Sequence, residues 1–339
     1  MRDLNRTLFS EPVGFSEPVA ITGYIALTVI LFSLIAFAGG CGTAPPEAIR
    51  ETSVEVNLWV TRDFGKENLF NSQLDVAPGC SVLSLLQEHL EVETEYGGGF
   101  VSAINGLQSG YSGQNGENGR MADWFYYVNG ILSEQGAADY VPAAGDIIWW
   151  DYHPWGGISF TPAVVGAFPQ PFTGGYRGKN PGTLILAGDA CDGFAEQFGT
   201  FLAERGTEEL EVDSYQEERA VNRSQMVVVI ALWEELFRSS FWEGVQEHRD
   251  RTGWFAELTP RCFYPLDLNA DRQGEGYTER VGAVLATGSG MGDPYPLWLV
   301  TATDLEGLSG VVEALIQRPG QFTKMVGALV VDGEVIGLP

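Results

Sequence analysis

Trp124-Phe125-Tyr126-Tyr127-Val128-Asn129-Gly130 is the stretch that decides how the first half of the 339-residue chain folds. Four aromatic residues followed by valine predict a β-strand, and Asn-Gly predicts a two-residue type I′ turn because both residues tolerate positive φ. Successive side chains of a strand alternate between its faces, so Trp124, Tyr126 and Val128 share one face and the residues between them share the other. We therefore expect a β-hairpin with only one of its two faces in the core.

A second aromatic segment, Asp146-Ile147-Ile148-Trp149-Trp150-Asp151-Tyr152, has the same two-sided pattern. If it is also a strand, Trp149 points to the opposite face from Trp150 and Tyr152. Two such strands side by side carry more aromatic surface than a small fold needs in its interior. The surplus favours an exposed platform of rings for a flat or largely apolar ligand, and the alternative is ordinary core with an interdomain contact.

A strand-to-helix junction is predicted upstream, around Ser81. Ser81 is a suitable N-cap, and the apolar residues at positions 82, 83, 86 and 90 fall on one helical face. Further upstream, residues 54–60 alternate apolar and mainly polar side chains, which predicts a half-buried first strand. We expect the helix to cover one side of the sheet that these strands form.

Four pieces of this region resemble the transcobalamin C-terminal-like domain, a domain of unknown function among bacterial surface proteins. They are residues 78–83, 100–107, 124–130 and 144–149, and their order and spacing agree with that family. The resemblance covers about residues 54–153, under a third of the chain, and Cys80 stands where the family has a small polar residue. It implies a β-grasp-like sheet with one helix and a ligand-facing surface of the kind that closes over cobalamin in the animal carriers. The helical barrel that completes the site in those carriers is not visible in this sequence.

Composition excludes some classes of partner. The net charge is −26, and the 19 Lys and Arg residues form no cluster, so nucleic acid is not an expected partner. The four cysteines form no Cys-x-x-Cys pair and the chain has only three histidines, which argues against a structural zinc site. Whether Cys191 and Cys262 form a disulfide stays open at this level.

The N-terminal region predicts attachment to a membrane. Residues 19–40 include no charge over 22 positions, which is long enough to cross a bilayer. They end in Ala38-Gly39-Gly40-Cys41, which resembles a bacterial lipoprotein signal and predicts lipidation at Cys41. An uncleaved transmembrane span is the alternative. In both cases residues 1–41 are a signal peptide or anchor, residues 42–53 a tether, and the remainder lies on the extracytoplasmic face.

The rest of the chain divides at a segment rich in glycine and proline. Residues 165–182 contain five Gly and three Pro, which predicts a linker between a first domain at 54–164 and a second at 183–339. Strands predicted at 183–187, 226–231, 281–286 and 297–301 alternate with helices near 192–202, 233–245 and after 303, and a hairpin through Asp332-Gly333 closes the chain. We therefore predict an α+β protein whose β-grasp-like domain precedes a separate α/β domain with a mixed or parallel sheet.

Enzymatic motifs are mostly missing from the sequence, which has neither Gly-x-Ser-x-Gly nor His-Glu-x-x-His. Asp189 and Asp192 follow a predicted strand, where α/β sheets often place ligand groups, although helix capping explains them as well. Residues 288–293 could cradle a phosphate, but Pro294-Tyr295-Pro296 is a poor start for the helix that such a cradle needs. His153 is a minority candidate for a metal ligand, and a hydrogen-bonding role is the simpler interpretation.

These observations favour a membrane-tethered extracytoplasmic binding protein that captures a small molecule, with cobalamin as one candidate, for a membrane transporter. The alternatives are a surface scaffold that docks a protein or polysaccharide, and an enzyme that uses the second domain. Aromatic rings would hold the ligand and Asn129 would help to orient it. The predicted ligand-binding residues are Trp124, Tyr126, Tyr127, Asn129, Trp149, Trp150 and Tyr152.

Overall fold

The computed structural model describes residues 53–111 and 120–339. Cys41 and the predicted anchor lie outside them. None of the helices within the described ranges is long and apolar enough to cross a membrane. The first half comprises β1 (Val54–Arg62), β2 (Glu67–Val76), α1 (Val82–His89), β3 (Val92–Glu95), a 3₁₀ turn (Tyr96–Gly98), β4 (Phe100–Ile104), β5 (Leu107–Gln108), β6 (Gly110–Tyr111), β7 (Met121–Val128), β8 (Ile131–Leu132) and β9 (Ile147–Pro154).

The first sheet has the strand order β2-β1-β9-β7-β6, and β8 pairs with β7. The last strand, β9, lies between β1 and β7, parallel to the former and antiparallel to the latter. A hairpin followed by one helix and a late strand inserted beside the first strand is the arrangement expected of a β-grasp-like sheet. Ser81 caps α1 as predicted, since its side chain accepts a hydrogen bond from Ser84 N.

The Asn-Gly turn between β7 and β8 forms as predicted. Asn129 and Gly130 both have positive φ, 54° and 79°. The Asn129 amide also donates to Asp146 Oδ1 and to the Gly175 carbonyl, each at 2.8 Å, and its oxygen accepts from Ile147 N at 2.9 Å. This buried side chain therefore ties the turn to the start of β9.

Both faces of the aromatic sheet are covered, so the prediction that only one belongs to the core was wrong. The strands alternate as expected: Trp124, Tyr126 and Trp150 pack on the side of α1, whereas Tyr127 and Trp149 point away from it. The second face packs into a core that includes residues from the second half of the chain. Rings that a single small domain would expose are buried here because a larger neighbour covers them.

The second half contains β10 (Thr183–Ala187), α2 (Asp192–Ala203), β11 (Leu210–Ser214), α3 (Glu217–Val221), β12 (Met226–Leu232), α4 (Trp233–Leu236), α5 (Ser240–Glu247), α6 (Arg249–Thr252), β13 (Ala256–Leu258), β14 (Phe263–Pro265), β15 (Val281–Thr287), β16 (Leu297–Ala302), α7 (Leu305–Gln317), a 3₁₀ turn (Pro319–Phe322), β17 (Gly327–Val331) and β18 (Glu334–Leu338). Its seven-stranded sheet has the order β11-β10-β12-β16-β15-β17-β18. The first four strands are parallel and the last three antiparallel. This mixed sheet confirms the predicted α+β class.

Helix boundaries differ from the prediction at two places. The single helix expected over 233–245 is two helices, because Ser239 accepts hydrogen bonds from Phe241 N and Trp242 N and so caps a new helix. Cys191, not Asp192, occupies the N-cap position of α2, where no side-chain capping bond forms. The predicted hairpin through Asp332 and Gly333 is present, with φ values of 49° and 82°.

The segment at 165–182 has no helix or strand, as its composition predicted. Val165, Phe168 and Phe172 are nevertheless buried in the core that α2 and α7 cover. Val165 N also donates to the Val326 carbonyl at 3.0 Å. The segment is packed into the fold, and all described residues belong to one compact unit, Arg50–Pro339. Its role as a domain boundary stays a prediction.

A buried carboxylate joins β9 to the turn between β1 and β2. Asp151 is 1% exposed and accepts hydrogen bonds from Phe64 N and Gly65 N at 2.9 Å and from Thr61 Oγ1 at 2.5 Å. Its Oδ1 also lies 2.8 Å from His153 Nδ1. With these four partners, the charge of Asp151 is compensated inside the protein.

We expect Asp151→Ala to lower the free energy of unfolding by about 3–5 kcal/mol, because it leaves several buried donors without an acceptor. The matched control is Asp75→Ala, which removes an exposed carboxylate from β2 and should change stability by less than about 0.5 kcal/mol. Urea denaturation followed by tryptophan fluorescence measures both. Equal small losses for the two variants would show that the Asp151 network adds little stability.

Candidate functional site

A cavity of about 260 Å³ lies beside the aromatic strands, and we call it the aromatic pocket. Residues from both halves of the chain form its walls. The lining comprises residues 98–101, 124–126, 132–137, Trp150 and Met291.

Three rings of the sheet form one wall of the aromatic pocket. Tyr126 and Trp150 are cross-strand partners whose rings stack with centroids 4.7 Å apart, and Trp124 packs beside them against Tyr152 at 5.1 Å. The Trp124 indole N–H donates to the Leu107 carbonyl at 3.0 Å. The Trp150 indole N–H is buried and has no hydrogen-bond partner among the described residues. A buried donor without a partner is rare in folded proteins.

The turn after β8 forms a second wall, and a hydroxyl network fixes it. The Tyr126 hydroxyl donates a hydrogen bond to the Gln135 carbonyl, and Ser133 Oγ donates to the Tyr126 hydroxyl at 2.7 Å. Gln135 N in turn donates to Ser133 Oγ at 3.2 Å. Burial raises the pKa of Tyr126, so the phenol stays neutral and remains a donor at physiological pH. The hydroxyls of Tyr126 and Ser133 are therefore occupied by this network.

Three lining residues of the aromatic pocket are partly exposed and form its rim. Phe100 is 38% exposed, Met291 is 50% exposed, and the Glu134 side chain is 50% exposed. The rim thus offers apolar contacts to a group that enters from solvent.

Met291 reaches the aromatic pocket on the loop at 288–293, which sequence analysis considered as a phosphate cradle. Within this loop, Asp293 Oδ2 accepts from Ser289 N at 2.7 Å and lies 3.4 Å from Arg223 Nη2. The carboxylate of the protein itself therefore occupies the donors that a phosphate would need, which supports the plain-turn interpretation. Gly292 N donates to the Leu132 carbonyl at 2.7 Å and docks the loop on the second wall.

The structure brings three of the seven predicted ligand-binding residues to the aromatic pocket, namely Trp124, Tyr126 and Trp150. Tyr152 is on the same face but donates its hydroxyl to the Gln108 carbonyl at 2.8 Å, outside the lining. Tyr127 bonds to Thr161 and Trp149 donates to Thr61 Oγ1 at 2.7 Å, both on the opposite face. Asn129 holds the turn described above.

The predicted open platform was wrong, because every one of these rings is at most 9% exposed. A docking surface for a protein or polysaccharide on the open aromatic face is therefore not available. Sequence reasoning also missed Ser133 and Met291 as lining residues. Neither carries a local signal: Ser133 is one serine after a short strand, and Met291 lies 141 positions beyond Trp150 in the sequence.

His153 is an internal residue paired with Asp151. Its ring is 1% exposed and lies between Phe64 and Phe125, with centroid distances of 4.2 and 4.1 Å. Its Nε2 has no hydrogen-bond partner among the described residues. No group of three or more His, Cys, Asp or Glu side chains placed to hold a metal occurs within 53–111 and 120–339. The arrangement favours the simpler interpretation, a hydrogen-bonding residue.

Asp189 and the loop at 288–293, which sequence analysis considered as ligand-binding groups of the second domain, do not come together. Asp189 follows the carboxyl end of β10, whereas the loop at 288–293 follows β15, which runs antiparallel to the β10-β12-β16 part of the sheet. The two loops therefore lie at opposite ends of the strands. Asp189 N donates to Glu235 Oε2 at 2.9 Å, and burial raises the pKa of Glu235.

The three cysteines within the described residues are unpaired. Cys191 and Cys262 are buried free thiols, and Cys80 is a partly buried one. Cys191 and Cys262 therefore form no disulfide bond in this structure. Burial raises the pKa of Cys191, which keeps its thiol protonated and of low reactivity.

A comparison with known protein families finds a match for one part of the chain. Residues 79–154, less than a quarter of the 339 residues, match the family model described as a domain of unknown function, DUF4430. This match agrees with the resemblance to a domain of unknown function that the sequence motifs indicated. A search of curated proteins found no match.

Two solved structures are distantly similar. A crystal structure of haptocorrin in complex with Cbi is 20% identical over 31% of this chain and 26% of that chain, with a TM-score of 0.25. A protein from Ruminococcus gnavus, described as a "putative metal binding protein", is 12% identical over 30% of this chain and 99% of that chain, with a TM-score of 0.24. This chain thus spans about a quarter of the haptocorrin chain. At these TM-scores neither likeness carries an argument about fold or ligand.

We expect Arg223→Gln to destabilise the protein by about 2 kcal/mol, because it leaves the Asp293 carboxylate buried without its cation. Both side chains of this pair are 9% exposed. The control is Arg280→Gln, which breaks an ion pair with Asp332 whose members are more than half exposed, and its cost should be about 0.5 kcal/mol or less. Thermal and urea denaturation measure both variants. Equal costs would mean that the buried pair does not fasten the loop that carries Met291.

Proposed function

We propose that this protein is a membrane-tethered extracytoplasmic binding protein that captures a small molecule in the aromatic pocket for an uptake system. The observation that carries the proposal is the aromatic pocket itself. It combines a concavity, a wall of three aromatic rings and two partly exposed apolar side chains, Phe100 and Met291, in its lining. Pockets of this kind, mostly apolar with few polar groups, are typical of small-molecule sites.

Location outside the cytoplasm is proposed from the sequence. The uncharged stretch at 19–40 and the lipoprotein-like residues around Cys41 support a tether at the N-terminus. A tethered receptor would hand its ligand to a membrane transporter, which is the partner we propose. The test of the anchor is metabolic labelling of cells with a palmitate analogue: wild-type protein should incorporate it and Cys41→Ala should not. Retention of membrane association without labelling would indicate an uncleaved span instead.

A corrinoid is the first ligand to test. The resemblance of residues 54–153 to the transcobalamin C-terminal-like domain motivates it. The volume of about 260 Å³ sets a limit, because pockets that enclose drug-sized ligands measure about 300–1,000 Å³. A corrinoid would therefore place only an edge or a substituent in the aromatic pocket, and the rest would lie against the rim.

Titration of the full-length protein in a maltoside detergent with cobalamin and with cobinamide should quench tryptophan fluorescence. Gly99→Leu should weaken binding at least tenfold (about 1.4 kcal/mol or more), because it fills the aromatic pocket. Gly99 has an ordinary φ of −72°, and a Cβ there would meet only the Tyr96 carbonyl at 3.5 Å, so the variant is expected to fold. Trp155→Leu, at an exposed position outside the lining, is the control.

Absence of any change with both corrinoids at high micromolar concentration would remove the corrinoid version of the proposal. The broader proposal is then judged by a thermal-shift screen that compares wild-type protein with Gly99→Leu. It predicts compounds that raise the melting temperature of the wild-type protein but not that of the variant. A screen in which every stabilising compound acts equally on both proteins would reject the aromatic pocket as the ligand site.

A further inference from the structure

We propose that two copies of this chain associate through the edge strand β2. The outer side of β2 pairs antiparallel with β2 of the second copy, around a two-fold axis at Ser72. This inference goes beyond the proposed function and does not depend on it, because no residue of β2 lines the aromatic pocket. Three features of β2 carry it: an open edge, a lack of charge and a self-complementary sequence.

The first feature is the open edge. β2 has ten residues and pairs only with β1, whereas the edge strands of the second sheet, β11 and β18, have five residues each. Within the described residues, no backbone hydrogen bond joins positions 67–76 to any element other than β1. The outer row of amide and carbonyl groups is therefore available to another strand.

The second feature is the lack of charge. Positions 68–74 contain no charged residue and no proline, which are the residues that usually keep edge strands from pairing. The edge strand β11, in contrast, carries Glu211 and Asp213, and Arg219 pairs with both. With a net charge of −26, two copies repel each other over most of their surface. An uncharged edge is where they can approach at the lowest cost.

The part of β2 that can pair regularly is 70–76. A bulge at Leu69 separates it from the start of the strand, because Val60 opposes Phe70 and Thr61 opposes Asn68. Beyond the bulge the side chains alternate. Even-numbered positions are half-buried or buried and odd-numbered positions are exposed. A partner strand thus meets two distinct faces, which limits the registers that it can adopt.

The third feature is complementarity of this part to itself. When Ser72 opposes Ser72 of the second copy, Phe70 opposes Leu74 and Asn71 opposes Gln73. The first pair is apolar on the face that packs on the core under α1, and the second joins two amides on the exposed face. A shift of the centre by one residue in either direction places Ser72 opposite Phe70 or Leu74 instead. We therefore assign the two-fold axis to Ser72.

The pair has a definite architecture. Because Phe70 and Leu74 both face α1, the two sheets join into one continuous sheet with both α1 helices on the same side. The contact is isologous, so it closes at two copies. One strand pair is a small interface, and we expect a dissociation constant of about 10–100 micromolar.

Cysteine cross-linking of the full-length protein in a maltoside detergent tests the register. Oxidation of Ser72→Cys should give at least about fivefold more covalent dimer than the wild-type protein, because directly opposed Cβ atoms lie about 4.5–5.5 Å apart. Asp75→Cys is the matched control on the same strand, since position 75 opposes position 69 and its two copies would lie about 20 Å apart. Equal dimer from both variants, or no excess from Ser72→Cys, would overturn the proposal.

A second cross-linking experiment leaves Ser72 unchanged. A mixture of Asn71→Cys and Gln73→Cys proteins should give about threefold more covalent dimer than either protein alone, because only the mixture places two thiols directly opposite each other. Mass spectrometry of the linked peptides identifies the bond. If the mixture gives no more dimer than the separate proteins, the assigned register is wrong.

Ser72→Asp tests the surface by charge repulsion. It places two carboxylates opposite each other at the axis and should weaken self-association at least about tenfold. The control is Ser214→Asp, the same change on β11 at the edge of the other sheet. Sedimentation measures association, and circular dichroism and the melting temperature show that each variant folds. A dimer that Ser72→Asp leaves unchanged would refute the proposal.

Two further outcomes separate this inference from others. Wild-type protein that stays monomeric up to about 200 micromolar, above the expected dissociation constant, would reject self-pairing and leave the edge for a strand of another protein. Corrinoid titration of Ser72→Asp should match that of the wild-type protein, because β2 lies outside the lining. A chain that dimerises without binding corrinoids supports this inference alone, and a chain that binds them only as a monomer supports the proposed function alone.

Discussion

The hydrogen bonds to the buried Asp151 carboxylate join strand β9 to the turn between β1 and β2, and that turn contacts the second half of the chain. They fix the turn that contains Phe64 and Gly65 against the aromatic strand β9. That turn presses on the second half: the Phe64 ring lies 5.1 Å from Phe255, and a Cβ on Gly65 would come within 1.9 Å of the Lys324 carbonyl. β9 also carries Trp150, a lining residue of the aromatic pocket, on its other face.

The aromatic pocket is a property of both halves of the chain. The sheet and the turn at 132–137 come from the first half, and Met291 comes from a loop of the second. That loop is held by an internal ion pair between Arg223 and Asp293 and by a backbone bond to Leu132. A folding unit made of the first half alone would lack both the Met291 rim and the cover over Tyr127 and Trp149. The second half is thus part of the site as well as its support.

The chemistry of the aromatic pocket is simple, because most of its polar groups already bond to one another. The Tyr126 hydroxyl, Ser133 and Gln135 form a closed network, and Trp124 donates to a backbone carbonyl. What remains for a ligand is the aromatic wall and the partly exposed side chains of Phe100 and Met291. Recognition in such a site depends mainly on shape and apolar contact.

The sequence by itself determined the local features: the Asn-Gly hairpin, the Ser81 cap, the alternation of the aromatic strands and the succession of strands and helices in the second half. These follow from interactions among residues close in sequence, so local patterns predict them. Only the tertiary structure decided which rings stay beside a cavity. Tyr127 and Trp150 look alike in the sequence, yet one is enclosed by residues from the second half and the other lines the aromatic pocket. The reason is physical: exposure depends on what packs against a residue, and here the packing partners lie far away in the chain.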